Sequence, residues 1–212
     1  MILLKMKIYL RYALAIFLMF SFTDTYAQIK SGYMIGLNLS SMTYINKGEN
    51  IEPETWAGIH FGGLFELPVI GNFTLQPGVL FSAKSTGYKI DSAQYSIGPI
   101  FIEVPVRAVY SFGSNVFKVS LFAGPYFAIG IDGLIIEPAG TTSMQFGSGY
   151  NHDMKPFDMG FNFGAGFNIH GLLISGQYGI GLVNLAPVGS DGSEMKNSVW
   201  GISFASLFSG RK

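Results

Sequence analysis

Apolar and small residues alternate one for one along much of this chain. In FDMGFNFGAGFNI (157–169), the odd positions are Phe157, Met159, Phe161, Phe163, Ala165, Phe167 and Ile169. The even positions are Asp158, Gly160, Asn162, Gly164, Gly166 and Asn168. A period of two is that of a β-strand, whose side chains point to opposite faces. In a helix the phenylalanines would scatter around the cylinder, and each glycine would cost about 1 kcal/mol relative to alanine. The water-facing row of a soluble sheet carries Lys, Glu and Thr, whereas a row of glycines suits a crowded interior. The aromatic face is therefore predicted to point outward into an apolar medium and the glycine face inward.

The same alternation recurs. Tyr33, Ile35, Leu37 and Leu39 oppose Met34, Gly36, Asn38 and Ser40; Ile59, Phe61, Phe65 and Leu67 oppose His60, Gly62, Leu64 and Glu66. Phe73 to Phe81, Ile100 to Tyr110, Phe117 to Ile129, Leu172 to Leu182 and Trp200 to Phe208 repeat it. These stretches predict eight strands of the length that a tilted membrane-crossing strand needs, roughly 9 to 11 residues. The connections alternate too. PVIGN (68–72), SFGSN (111–115) and HG (170–171) are glycine-bearing tight turns, while residues 44–55, 85–98, 132–156 and 184–197 are long and polar. The fold class predicted is all-β: an eight-stranded antiparallel up-and-down transmembrane β-barrel, its short turns in the periplasm and its long loops outside.

Composition strengthens this picture. Charged residues make up 12% of the 212 residues and glycines number 28, against about 25% charged in an ordinary soluble domain. After the N-terminus no apolar run reaches the roughly 18 to 20 residues of a membrane helix, so a closed barrel is the remaining way across a bilayer. The N-terminus itself reads as a secretory signal peptide. Lys5, Lys7 and Arg11 precede or open the run YALAIFLMFSF (12–22), and Thr25 and Ala27 stand at minus three and minus one of a cleavage site before Gln28. The predicted division is residues 1–27 as signal peptide and 28–212 as barrel, with both termini of the mature chain periplasmic. Cleavage removes those three basic residues and Asp24, so 13 less 3 leaves 10 basic and 13 less 1 leaves 12 acidic residues. That balance argues against nucleic acid as a partner. Cysteine is absent, so there is no disulfide framework.

The candidate chemistry is in the inward charges. Glu66, Arg107 and Lys118 each lie three or four residues from a predicted turn and belong at one depth; Glu103 and His60 belong one layer higher. They could form a selective polar pathway or a compensated ionic plug. The plug is preferred, because charges in a narrow interior must pair and Phe101, Phe122 and Tyr126 crowd the same lumen, with glycines such as Gly160 and Gly164 making room. His60, His152 and His170 lack metal or Ser-His-Asp spacing. No enzyme activity, cofactor or metal is therefore predicted. The 132–156 segment, with Met144, Phe146 and Tyr150 beside polar residues, is expected to be the main contact surface.

Four blocks carry a family resemblance: IEVPVRAVY (102–110), LFAGPYFAIGI (121–131), FDMGFNFGAGFNI (157–169) and GQYGIGLVNLAP (176–187). In this order they resemble the porin-family outer membrane protein β-barrel domain of the Bacteroidota, across essentially the whole mature chain. The resemblance implies a small barrel in outer-membrane lipid, acting as a surface, structural or interaction protein through its external loops. The family also includes PorT-like accessory proteins of a secretion system, which makes envelope or secretion proteins the alternative partners. A narrow porin and a lipid-modifying barrel enzyme are the weaker alternatives. One departure stands out: many such barrels end on an aromatic residue, whereas here SGRK follows Phe208.

Overall fold

The computed structural model describes residues 29–46, 49–90, 93–114, 116–188 and 193–209. The expected signal peptide therefore lies outside the described residues. The strands are β1 (Lys30–Asn46), β2 (Glu49–Ile51), β3 (Pro53–Ile70), β4 (Phe73–Ala83), β5 (Thr86–Ile90), β6 (Ala93–Gly113), β7 (Phe117–Glu137), β8 (Gly140–Ser143), β9 (Phe157–Ile169), β10 (Leu172–Gly181) and β11 (Glu194–Ser209). Eight of them, β1, β3, β4, β6, β7, β9, β10 and β11, pair antiparallel in chain order, and β11 returns to β1. Leu37 of β1 lies between Ile202 of β11 and Ile59 of β3. The ring is closed and leaves no free edge, which is what a strand structure in lipid requires.

Alternation sets the two faces as the sequence predicts. Tyr33, Ile35, Leu37, Leu39, Phe161, Phe163, Trp200 and Ile202 are exposed on the outer wall, and Met34, Asn38, Ser40, Asn162 and Ser203 are buried inside. Outer aromatics cluster near the turn end, where the Phe73 and Tyr110 rings lie 4.8 Å apart and Tyr33 and Phe208 lie 5.8 Å apart. Further along the wall, Tyr178 stacks at a tilt on Trp200, 4.6 Å between centroids. The turn between β9 and β10 is the two residues His170 and Gly171, at φ 51° and 89°. Two successive positive φ values give the primed turn whose twist matches the flanking strands.

The long segments differ from expectation. Much of each is strand: β2 folds back on β1 with Tyr44 opposite Ile51, β5 pairs β6 with Tyr88 opposite Tyr95, and β8 pairs β7 with Ile136 opposite Thr141. Above the bilayer a strand need not alternate apolar with small, so these stretches carried no periodic signal although their backbones pair. The walls are accordingly tall. β6 has 21 residues; at about 3.3 Å per residue and a tilt of about 40° it rises about 53 Å, roughly twice the apolar band of an outer-membrane barrel.

Candidate functional site

The lumen is built in three tiers. At the loop end an apolar cap closes it: Met42, Phe101, Met144, Met154, Leu185 and Met195 are all buried together, with Phe146 packed against them. The two longest loops hold this cap in place. Lys155 N donates to Leu185 O (2.8 Å), Val188 N donates to Ser148 O (3.1 Å), and Asn184 Oδ1 accepts from the amides of Ala186 and Met195 (3.0 and 2.9 Å). Two of the three residues expected to make the 132–156 segment a contact surface are placed otherwise. Met144 and Phe146 turn inward, because at the barrel mouth they can cover Phe101 instead of facing water. Tyr150 remains outside, 81% exposed.

Beneath the cap lies an ionic tier. Lys84 Nζ sits 2.9 Å from Glu103 Oε2 and 3.3 Å from Asp158 Oδ2, with both carboxylates and the lysine buried. Asp158 Oδ2 also accepts from Tyr126 Oη (3.1 Å) and Asn197 Nδ2 (2.8 Å). The ammonium lies 4.3 Å above the Tyr126 ring centroid, a cation–π contact. Donors from the β4–β5 junction, β7 and β11 thus converge on one carboxylate of β9. Gly160 and Gly164 make the space as predicted: a Cβ at Gly160 would fall 2.5 Å from the Tyr126 ring, and one at Gly164 2.6 Å from Phe122.

His60 is a neighbour of this tier, and its imidazole bridges Asn38 Oδ1 and Ser203 Oγ, each at 2.8 Å. Ser203, His60 and Asn38 have the connectivity of a nucleophile, a base and an orienting group. All three are buried, however, and the void beside His60 holds only about 10 Å³. That is about one water molecule, so no substrate carbonyl can reach Ser203 Oγ. The trio is a hydrogen-bonded tie across β11, β3 and β1.

The third tier is a cavity of about 520 Å³ at the turn end, lined by Glu66, Arg107 and Lys118 together with Lys30. Glu66 accepts from Lys30 Nζ and from Gln76 Nε2, both at 2.8 Å. Arg107 Nη2 donates to Gln177 Oε1 (2.8 Å), and its guanidinium lies 5.0 Å from the Phe122 ring centroid. The three residues expected at one depth thus share a cavity without pairing with one another. Glu103 and His60 line the narrow void above it.

Sequence reasoning passed over Lys84 and the role of Asp158. Lys84 continues the inward row of Leu80 and Ser82 beyond the point where glycine and polar residues suggested a loop. Carrying the alternation through Lys84, Thr86 and Tyr88, all buried, would have found it. Asp158 stands in the inward row of the 157–169 stretch and needed only a partner. Among the described residues no group of three or more His, Cys, Asp or Glu side chains is placed to hold a metal. No described helix is long and apolar enough to cross a membrane, which has no bearing on strands.

The family described as "Outer membrane protein beta-barrel domain" matches residues 23–186. No curated protein matches. Among solved structures the chain is similar to OprG from Pseudomonas aeruginosa, at 13% identity over 87% of this chain and 98% of that one, with a TM-score of 0.49. It is similar to Ail of Yersinia pestis, solved with the heparin analogue sucrose octasulfate, at 11% identity over 85% and 99%, with a TM-score of 0.45. A third is AlkL in lipid bilayers, at 13% identity over 90% and 95%, with a TM-score of 0.37.

Proposed function

Since the chain belongs to the outer membrane protein beta-barrel domain family, and is therefore a small barrel of the bacterial outer membrane, we propose that it is a closed one that acts through its external end. In this reading the tight turns and both termini of the mature chain face the periplasm. The strands beyond the bilayer form a stiff collar that holds a loop platform clear of the lipid. One observation carries the proposal: between the apolar cap and the turn-end cavity, the voids among the ionic side chains are only about 10 Å³ each. A conducting pore needs a continuous water column, and eight strands enclose just enough room for side chains.

The platform supplies what a closed barrel offers to other molecules. Tyr150 is the most exposed large hydrophobic side chain among the described residues, at 81%, on a segment whose backbone is fixed by the inter-loop bonds to Leu185 and Val188. An aromatic ring on a rigid support is a good contact residue, because little conformational entropy is lost on binding. The test is electrical. Purified protein in planar bilayers is expected to give no reproducible single-channel steps under applied voltage. Steady steps whose ion selectivity changes in Arg107→Ala would overturn the closed-lumen reading.

A further inference from the structure

The turn-end cavity carries more positive than negative charge. Four charged side chains line it: Lys30, Arg107 and Lys118 against Glu66 alone, a net charge of +2 among the described residues. Glu66 is already bonded to Lys30 and Gln76. Among the described residues no carboxylate lies within ion-pairing distance of Arg107 or of Lys118. Arg107 is only 3% exposed. Its polar neighbours are the neutral Gln177 Oε1 at 2.8 Å and the Met34 sulfur at 4.0 Å, and its Nε has no hydrogen-bond partner. Thr74, on the same cavity wall, has a buried Oγ1 that is also without a partner.

A buried cation without a counter-charge is costly. Here the buried Arg107 and the half-buried Lys118 line one water-accessible space large enough for a small molecule, with the hydroxyls and amides of Ser120, Asn72 and Asn168 on its wall. A guanidinium presents a planar fork of donors that suits tetrahedral oxyanions, and an ammonium adds a movable point charge. The tier above, Lys84 against Glu103 and Asp158, has one negative charge in excess, so the surplus left is +1, which a singly charged phosphate neutralises. The geometry points to a binding site for a phosphate-class anion in this cavity, with Arg107 as the fixed anchor and Lys118 as the mobile arm. The phosphate could be free or carried on a lipid headgroup that reaches over the rim. The recognition chemistry is the same for both. The site does not depend on the closed-lumen reading, since an anion could dock at the turn end of an open or a shut barrel.

The experiment uses the full barrel in a maltoside detergent, which carries no phosphate, titrated separately with inorganic phosphate and with short-chain phosphatidic acid by calorimetry and phosphorus NMR. Saturable binding of inorganic phosphate is expected, weakening with salt and falling about tenfold in Lys118→Gln, the scale of one charge-assisted hydrogen bond. Arg107→Gln is expected to lose more. Should that variant fail to fold, Lys118→Gln decides alone, because Lys118 makes no hydrogen bond or ion pair among the described residues that folding would need. Binding of phosphatidic acid but not of inorganic phosphate supports the site and assigns its source to lipid. Absence of saturable binding of either at about 10 mM, or identical affinity in wild type and Lys118→Gln, overturns the proposal.

Discussion

Replacing Lys84 with methionine removes one ammonium and keeps almost all of the side-chain volume, so it isolates the charge. In the native barrel that ammonium lies 2.9 Å from Glu103 and 3.3 Å from Asp158 with 3% of its side chain exposed. Without it two carboxylates remain in the tier, helped by Tyr126 and Asn197 at Asp158, in a space with about 10 Å³ of free volume. Water cannot enter in sufficient number to solvate them. Removing one partner of a buried ion pair costs about 3 to 5 kcal/mol, and here one ammonium serves two partners, so the upper half of that range is expected. The assay is urea unfolding of protein reconstituted in vesicles, followed by tryptophan fluorescence and by the heat-modifiable shift of the folded band on gels. A second variant separates charge from packing. Lys84→Met with Glu103→Gln and Asp158→Asn leaves the tier uncharged and should recover most of the loss, since replacing a whole buried ionic group is often neutral. If Lys84→Met unfolds within about 1 kcal/mol of wild type, or the triple variant is no better than the single one, the lysine is not the keystone of the plug.

Other outcomes follow from the same geometry. Phe163→Lys places a charge on the outer wall and should cost about 2 to 4 kcal/mol near mid-depth; if it is neutral by urea unfolding while small polar changes at Asn162 are damaging, inside and outside have been exchanged. Gly160→Leu should clash with both the Ile180 carbonyl and the Tyr126 ring and cost at least the roughly 1 to 3 kcal/mol of ordinary overpacking; Tyr126→Ala in the same chain should return only the share due to the ring, a coupling read from a double-mutant cycle. At the loop end, Met154→Ala should lose about 2 to 5 kcal/mol as a cap residue, whereas Tyr150→Ser should stay within about 0.5 kcal/mol of wild type; equal effects of the two would contradict the cap.

The barrel was legible in the sequence because membrane strands obey a strict rule: every second residue meets lipid, and the chain must write that in apolar side chains. Tyr33 to Leu39 and Phe157 to Ile169 follow it without exception. Outside the bilayer the rule lapses. The hairpin of β5 with β6 and the β7–β8 extension look like loops in the sequence, because both faces there can be polar. The lumen was legible as a composition of charges but not as a set of partners. Glu66, Arg107 and Lys118 do share a cavity, yet the strong contacts of the interior join Lys84 with Glu103 and Asp158. Which cation reaches which carboxylate depends on strand stagger around a closed ring, and alternation along single strands carries no information about stagger. The inward turn of Met144 and Phe146 was hidden for a related reason: an apolar residue in a loop can serve a partner or cover its own barrel, and only the proximity of Phe101 decides.

The tie from Asn38 through His60 to Ser203 bears on how the chain finds its final shape. It crosses the seam where β11 meets β1, the joint between residues as distant in sequence as Leu37 and Ile202 and hence the one with the largest loop-closure entropy. A slip of two residues along that seam would keep apolar side chains in lipid but bring Gly201 or Ala205 against the imidazole in place of Ser203, leaving a buried polar group without its partner. The apolar exterior cannot detect such an error, because lipid accepts any greasy side chain about equally well. The histidine can. Its two hydrogen bonds favour one alignment of the closing strand over its neighbours.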